Sequence, residues 1–210
     1  MGTLFVIVGG VNMTGHYYSQ RPSVASDERT IHIDVRGVSI DLVTDRGVFA
    51  KSGLDEATRR LIETVDLAGA TEALDLGAGY GVVTAVLGSV YPGIQWTLID
   101  INERAIDLAV RNTAGLLRKP VPLVHDGIPD DMEAVFDHVL LNPPIRAGKL
   151  VMYRLYEQSK RALRKGGKLW VVIQKKHGAP STLEELRRHF GFVQTVYKRS
   201  GYFIFCAEKD

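Results

Sequence analysis

Apolar and polar residues follow two different periods along this chain, and the change of period separates predicted strands from predicted helices. Residues 30–35 and 38–44 alternate apolar and polar side chains on either side of Arg36-Gly37. Alternation of this kind around a short turn predicts a β-hairpin. Residues 54–65 then place Leu61, Ile62 and Val65 at helical spacing, which predicts a helix after the hairpin.

Beyond this helix, apolar runs typical of buried strands alternate with segments of helical period. The predicted strands lie near residues 73–77, 94–101, 121–126, 136–141 and 168–175. The predicted helices lie near residues 80–89, 102–113, 150–165 and 181–190, and residues 193–199 and 202–208 flank Ser200-Gly201 as a closing hairpin. This order predicts an α/β fold with a parallel sheet, helices on both faces, and ligands bound outside the carboxyl ends of the strands.

Length and composition agree with one α/β unit. The chain has 210 residues, of which 45% are apolar, as expected for a globular domain with its own core. A single cysteine, Cys206, excludes an internal disulfide, and the six histidines are scattered, so we expect no metal site. The apolar run Leu4–Val8 is far shorter than a membrane span, and we expect a cytoplasmic protein without membrane association.

Charge is divided unevenly along the chain. Residues 1–141 hold 11 Lys+Arg and 19 Asp+Glu, net −8, whereas residues 142–210 hold 15 and 5, net +10. A basic surface beside a ligand site attracts phosphates. The basic residues that follow predicted strand ends are the candidate phosphate contacts: Arg146, Lys149, Lys175 and Lys176. Those in helical segments are interpreted as solvated helix faces: Arg161, Arg164, Arg187 and Arg188.

The most distinctive segment is Asn142-Pro143-Pro144-Ile145, directly after the apolar run Phe136–Leu141. Proline fixes its own φ, lacks an N–H and holds the preceding residue extended. The Asn142 amide and the carbonyls of this stiff turn therefore point in fixed directions at the end of a strand. Such a turn can hold a planar NH2 group through two acceptors, and the alternative is an ordinary strand-to-loop turn.

A glycine-rich segment precedes this turn by about sixty residues. Residues 72–81 (EALDLGAGYG) predict a strand, a glycine loop and a helix start, with Asp75 ahead of the glycines. Glycine lets backbone approach a ligand, and a helix N-terminus offers free N–H groups; structural turns also use glycine. Asp100 lies near the end of the next predicted strand, where an acid suits the two hydroxyls of a ribose. Asp100 as a helix N-cap is a compatible second interpretation.

Four sequence blocks follow one another along the chain: Gly47-Val48-Phe49 with Leu54-Asp55, the glycine loop, residues 142–149 (NPPIRAGK) and residues 175–179 (KKHGA). In this order the blocks resemble the RsmC-type small-domain methyltransferases, which belong to the class I S-adenosylmethionine-dependent methyltransferases. The match runs from about His16 to the C-terminus. The segment Asn-Pro-Pro alone is shared with adenine, cytosine and glutamine methyltransferases. One departure is Ala57 before Thr58, where the family usually has glycine.

The resemblance implies a Rossmann-like class I fold, with a mostly parallel seven-stranded sheet closed by an antiparallel hairpin. Residues 54–210 would form the methyltransferase domain, preceded by an extension and hairpin in residues 1–53. Residues 1–12 lie ahead of a typical family start at Met13, either as an upstream extension or as an extra strand. The implied cofactor is S-adenosylmethionine, bound by Asp75, Gly77, Ala78, Gly79, Gly81, Asp100, Ile101, Asp126, Gly127 and Asn142. The alternative for Asp126-Gly127 is a simple Asx turn, and we favour the contact to the adenine of the cofactor that the resemblance implies for Asp126.

The implied reaction is methylation of guanine N(2) in 16S ribosomal RNA by a monomeric enzyme. Asn142, Pro143, Pro144 and Ile145 would form the catalytic turn, and Arg146, Lys149, Lys175 and Lys176 would contact RNA, free or in a small-subunit particle. In many adenine-modifying relatives an aromatic residue stands at the position of Ile145. Two other functions stay open: methylation of a glutamine side-chain amide in a protein, and a non-catalytic RNA-binding module in ribosome assembly.

Overall fold

The computed structural model describes residues 25–48 and 53–210, so the expectations for Leu4–Val8, for the segment around Met13 and for Phe49 lie outside the described residues. The chain opens with the antiparallel pair β1 (Arg29–Val35) and β2 (Val38–Thr44). This confirms the first hairpin. Both residues of its turn have positive φ, 54° at Arg36 and 76° at Gly37, the conformation of a type I′ turn.

Strands and helices alternate after the hairpin, as the sequence predicts. The helices are α1 (Glu56–Thr64), α2 (Val82–Val90), α3 (Glu103–Asn112), α4 (Lys149–Ala162) and α5 (Ala179–His189). The strands are β3 (Glu72–Leu76), β4 (Gln95–Asp100), β5 (Val121–Val124), β6 (Phe136–Leu141), β7 (Leu163–Gln174), β8 (Phe192–Arg199) and β9 (Tyr202–Glu208).

The seven strands β3 to β9 form one sheet in the order β5-β4-β3-β6-β7-β9-β8. Neighbouring strands from β5 to β7 are parallel, and only β9 runs antiparallel to its two neighbours. The predicted mostly parallel sheet with a closing hairpin is therefore confirmed. Because the carboxyl ends of β3, β4, β6 and β7 meet at one edge, the loops that follow these strands are brought together.

Each face of the sheet is covered by its own hydrophobic core. One core joins the hairpin to α1 and α2 and includes Ile33, Leu42, Leu61 and Val86; the other lies under α4 and α5. Burial of these side chains drives the two-faced packing of helices on the sheet. The hairpin thus packs on the same face as the helices that flank the glycine loop.

Two boundaries differ from the sequence prediction. Helix α4 ends at Ala162 and β7 begins at Leu163, although helical spacing continues to residue 165. The chain becomes extended there because Gly166 N–H donates to the Lys209 carbonyl at 2.8 Å and Lys209 N–H donates to the Gly167 carbonyl at 2.9 Å. Strand β5 ends at Val124, so the prediction that Asp126 ends this strand is wrong, and Asp126 lies in the following bend.

The hairpin turn is anchored by the side chain of Arg36. Its guanidinium donates to the Ile62 carbonyl at 2.8 Å, the Val65 carbonyl at 2.6 Å and the Tyr91 hydroxyl at 2.6 Å. The two carbonyls belong to the end of α1, where a cation is favoured by the helix dipole. The turn of the hairpin is therefore fixed to α1 and to the residue after α2.

Replacing Arg36 by Asn removes the hydrogen bonds of this anchor but keeps a residue type that the turn conformation favours. Asn is favoured in a type I′ turn, yet the variant loses three charge-assisted hydrogen bonds. We expect a net loss of about 1.5–3 kcal/mol in the free energy of unfolding, measured by urea denaturation. Ser200 is the matched control, because Ser200 and Gly201 form the same turn with φ of 51° and 77° and Ser200 is exposed. Ser200→Asn should not destabilise the protein; equal effects at both turns would contradict the anchor.

Candidate active site

A cavity of about 390 Å³ opens at the carboxyl edge of β3, β4 and β6. The glycine loop forms one wall through Gly77, Ala78 and Gly79, and the Asn142 turn forms another. The other predicted site residues that line it are Asp75, Asp100, Ile101, Asp126, Gly127, Pro143, Pro144, Ile145 and Arg146. Two widely separated predicted motifs therefore share one cavity, which has the size of a small-molecule or cofactor site.

Asp100 holds the glycine loop and the start of α3 in place. One carboxylate oxygen accepts from Gly79 N–H at 2.9 Å and the other from Asn102 N–H at 2.9 Å. The N-cap of α3 is Asn102, whose side chain accepts from Arg104 and Ala105 N–H, so the N-cap interpretation of Asp100 is wrong. The carboxylate also lines the cavity, and its contact to a pair of ribose hydroxyls stays a prediction.

Asp75 lies deeper, at the floor of the cavity, with 3% of its surface exposed. Its carboxylate accepts from the Thr84 hydroxyl at 2.9 Å and from Thr84 N–H at 3.3 Å, which satisfies a free N–H of the first turn of α2. Burial raises the pKa of Asp75 to about 7, against the lowering effect of the two Thr84 hydrogen bonds. Asp75 is thus protonated or ionised depending on what else occupies the cavity.

The absence of a side chain has a different consequence at each glycine of the loop. Gly77 and Gly79 have positive φ, 74° and 55°, and a Cβ built on either would meet open space. Gly81 is buried outside the cavity lining, and a Cβ there would lie 2.8 Å from the Cα of Ala109 on α3. Gly77 and Gly79 leave backbone accessible to a ligand, whereas Gly81 allows α2 and α3 to approach closely.

Asp126 and Gly127 lie at the rim beyond β5. The Asp126 carboxylate is exposed and forms an ion pair with Arg154 at 2.6 Å. Gly127 has a φ of 83°, and a Cβ there would lie 2.2 Å from the Gln158 side-chain oxygen. The positive φ is sufficient reason for glycine at this position, and the cofactor contacts of both residues stay predictions.

Asn142 is held between β6 and the first turn of α1. Its side-chain Nδ2 donates to the Thr58 hydroxyl oxygen at 3.0 Å and lies 3.4 Å from the Asp55 carboxylate. Asp55 caps α1 by accepting from Ala57 N–H at 2.9 Å and Thr58 N–H at 3.2 Å. Alanine at position 57 therefore leaves the cap intact, although the family usually has glycine there.

The two prolines lead into a short 3₁₀ turn at Ile145–Ala147, closed by Ala147 N–H donating to the Pro144 carbonyl at 2.9 Å. Ile145 is half-buried, packs on the core under α4 and lines the cavity. Within residues 25–48 and 53–210, no backbone N–H of a turn or loop donates to the Pro143 carbonyl. The turn can therefore offer this carbonyl, as well as the Asn142 amide, to a bound group.

The predicted phosphate contacts lie in the loops after β6 and β7, at the edge of the sheet that carries the cavity. Lys149 begins α4, and Lys175 and Lys176 form a 3₁₀ turn after β7; all three side chains are exposed. Lys175 N–H donates to the Gly201 carbonyl at 2.8 Å. This bond places the β8–β9 turn, with Lys198 and Arg199 before it, at the same edge, a placement that the sequence does not predict.

The basic side chains that the sequence assigns to helix faces lie away from the cavity edge, most of them in ion pairs. Arg164 pairs with Asp137 at 2.9 Å, Arg161 with Asp130 at 2.8 Å, and Arg188 with Glu185 at 2.9 Å. Arg187 belongs to the last turn of α5, also away from the cavity edge. These contacts are structural and agree with the interpretation that these residues do not face the site.

Two further cavity residues carry polar groups that the sequence analysis does not single out. Tyr80, inside the glycine loop, is 2% exposed, and its hydroxyl has no hydrogen-bond partner among the described residues. Burial, with a smaller contribution from the charge of Asp55, raises the pKa of Tyr80 far above its usual range. His177 reaches the cavity from the turn after β7. Each lies inside a motif, but no residue pattern shows that its side chain turns inward.

In the part of the chain that the structure describes, no group of three or more His, Cys, Asp or Glu side chains is arranged to hold a metal ion. None of the helices in residues 25–48 and 53–210 is long and apolar enough to cross a membrane.

Comparison with known proteins extends these observations. The family model described as "Methyltransferase small domain" matches residues 39–206. The "Uncharacterized protein YbxB" of Bacillus subtilis is 37% identical over 200 residues, which cover 94% of this chain and 100% of that protein. The ribosomal RNA large subunit methyltransferase G of Stutzerimonas stutzeri is 32% identical over 164 residues, 75% of this chain and 43% of that protein.

A solved structure shows the same fold. The T. thermophilus 16S rRNA N2 G1207 methyltransferase (RsmC), in complex with AdoMet and guanosine, has a TM-score of 0.74 and 24% identity, covering 90% of this chain and 52% of that chain. This chain therefore spans about half or less of the length of these two ribosomal RNA methyltransferases.

Proposed function

Because the chain belongs to the methyltransferase small-domain family, whose cofactor is S-adenosylmethionine, we propose that it methylates an exocyclic amine of a base in RNA. The preferred target in this proposal is guanine N(2) of 16S ribosomal RNA. The observation that carries it is the shared cavity of the glycine loop and the Asn142 turn. Direct transfer requires donor and acceptor to meet in one site, and these two motifs line one cavity.

The residues present fit the cofactor. Gly77 and Gly79 leave open space where a Cβ would stand, so backbone can lie against a bound amino-acid moiety. Asp100 can receive the ribose hydroxyls, and the acidic pair of Asp75 and Asp100 suits a cationic ligand. When bound, S-adenosylmethionine supplies an electrophilic methyl group on its sulfonium.

The acceptor turn supplies alignment. An exocyclic amine is a weak nucleophile because its lone pair is delocalised into the ring. Hydrogen bonds from the two N–H groups to the Asn142 oxygen and the Pro143 carbonyl would turn this lone pair toward the methyl group, with reacting atoms about 3–3.5 Å apart. The N–C bond forms as the S–C bond breaks, and the methylated amine then loses a proton to solvent. No strong general base is required, and a paired base would first have to flip out of its helix.

The basic edge favours RNA over protein as substrate. Exposed lysines at positions 149, 175 and 176 lie in the loops next to the acceptor turn, where they can contact phosphates on either side of a flipped base. Several relatives of the chain are named as ribosomal RNA methyltransferases, including the small subunit methyltransferase C of Proteus mirabilis at 33% identity over 130 residues, 60% of this chain and 38% of that protein.

Transfer of label from methyl-tritiated S-adenosylmethionine tests the proposal. The acceptors are 16S and 23S ribosomal RNA, the two ribosomal subunits lacking modification, and the protein fraction of the same cells. We expect label in RNA, recovered as N2-methylguanosine after nuclease digestion. Label recovered as another methylated nucleoside would show that a different base is the acceptor. Label in methylglutamine of a protein hydrolysate would favour the protein-amide alternative.

Cofactor affinity should depend on pH through Asp75. The pKa of this buried carboxyl, about 7 in the folded protein, exceeds its ordinary value near 3.9. The free folded protein therefore binds an extra proton between these values, and its stability falls as pH rises through this window. A bound cation favours the carboxylate, so binding should release a proton, and affinity should rise by about fivefold between pH 6 and 7.

Titration calorimetry in two buffers of different ionisation enthalpy measures this proton release. Asp75→Asn is the matched variant, since an amide oxygen can still accept from Thr84. Its cofactor affinity should be independent of pH over the same range. A pH-dependent affinity that persists unchanged in Asp75→Asn would place the titrating group elsewhere.

A further inference from the structure

The Asn142 amide is joined to Asp55 through the hydroxyl of Thr58. The Asn142 Nδ2 donates to the Thr58 oxygen at 3.0 Å, and the Thr58 hydroxyl donates to Asp55 Oδ2. Asn142 is 84 residues from Thr58 and 87 from Asp55 in sequence, so the contact is made only by the fold. All three residues line the cavity.

The carboxylate sets the direction of this chain of hydrogen bonds. An ionised carboxylate can only accept, so the Thr58 proton is given to Asp55. Only lone pairs of the Thr58 oxygen then remain toward Asn142, and the amide must present its NH2 group to them. The other end of the planar amide, the oxygen Oδ1, is left for the ligand side of the turn.

We propose that Asp55 and Thr58 are positioning residues that fix the orientation of the Asn142 amide and thereby select an acceptor that donates N–H. An amide held in this direction accepts from an amine, whereas a flipped amide would place its NH2 against the NH2 of the substrate. Unpaired or opposed polar groups in a site discriminate strongly between ligands. The inference rests on the proposed function, since it assigns how the acceptor turn of that reaction is held.

Asp55 is suited to this role because its own position is fixed. It caps α1 through two backbone N–H groups. Asparagine is as good an N-cap as aspartate, so Asp55→Asn keeps the helix start. It loses the acceptor-only character of the carboxylate, and the amide of Asn142 is then free to take either direction.

Single-turnover methyl transfer at saturating cofactor tests the role of Thr58. Thr58→Val keeps the shape and removes the hydroxyl, so we expect a rate about tenfold lower, the scale of one lost hydrogen bond. Thr58→Ser should restore most of the rate. Thr64→Val, in the last turn of the same helix, is the matched control and should react like the wild type. Cofactor affinity should be unchanged in all three.

A double variant shows whether Thr58 acts through Asn142. If it does, Thr58→Val should slow the wild type but have no further effect in an Asn142→Ala background. An equal slowing in both backgrounds, or a wild-type rate for Thr58→Val, would overturn the inference. Asp55→Asn should lower the rate at least as much as Thr58→Val, with the thermal midpoint retained.

The side-chain NH2 of Asn142 gives a second readout that needs no turnover. In NMR spectra of the protein without acceptor, we expect these protons to exchange with water much more slowly than the asparagine amide of a short unstructured peptide. The protection should be lost in Thr58→Val and Asp55→Asn. Unprotected protons in the wild type would overturn the inference whatever the activity. Protected protons in a protein that methylates no amine would overturn the proposed function and leave the amide orientation standing.

Discussion

Asn142→Ala should lower the rate of methyl transfer by about a hundredfold or more. The variant removes the oxygen that, in the proposed reaction, accepts from the substrate amine, and loss of one positioned polar group in a catalytic site has effects of this size. Single-turnover measurement with saturating cofactor isolates the chemical step, because product release does not contribute.

The same variant should keep its affinity for S-adenosylmethionine. Asn142 is engaged by Thr58 and Asp55 on one side, and in the proposed reaction its oxygen accepts from the substrate amine and not from the cofactor. Titration calorimetry on the same preparation is the control. A variant that binds the cofactor and transfers methyl groups at the wild-type rate would show that the Asn142 turn is only structural.

Replacing Arg146, Lys149, Lys175 and Lys176 together by glutamine should weaken RNA binding by about tenfold to a hundredfold at low salt. These residues lie in the loops after β6 and β7, at the cavity edge. Each phosphate contact that is lost should lower the slope of log affinity against log salt by about 0.7–0.9. Filter binding over a series of salt concentrations measures both quantities.

A matched fourfold variant tests whether position, rather than total charge, matters. Four exposed basic residues outside the cavity edge serve for this purpose: Arg118, Lys165, Arg187 and Arg188. Their replacement by glutamine removes the same charge, but it should change affinity and slope much less. Equal effects of the two variants would show that RNA affinity depends on the net charge of the protein and not on the position of the basic residues. Binding insensitive to salt in both would remove the main support for an RNA substrate.

The fold follows from periodicity because most of its elements are local. Both hairpins, the alternation of strands and helices, and the carboxyl-edge position of Asp100 and Asn142 are encoded in short segments. The boundary between α4 and β7 is not local. The helical spacing after Ala162 is overridden by the hydrogen bonds of Gly166 and Gly167 to Lys209. Pairing with a strand distant in sequence cannot be read from the residues around position 163.

The site is predictable only in part, for the same reason. The glycine loop and the Asn142 turn can be recognised in the sequence, because glycine widens and proline restricts the range of backbone conformations. Thr58 does not, since nothing near it indicates that its hydroxyl lies 3.0 Å from the Asn142 amide. Gly81 shows the converse, because close packing against Ala109 gives a glycine the same sequence signal as a ligand contact.

The central claim, methylation of guanine N(2) in ribosomal RNA, is tested most directly by mass mapping of modified nucleosides. Ribosomal RNA is compared between cells that contain this protein, cells that lack it, and cells that carry Asn142→Ala. The account predicts one N2-methylguanosine in 16S ribosomal RNA that is present only with the active protein. Identical nucleoside maps in all three, with a methylated glutamine lost from a protein instead, would contradict it.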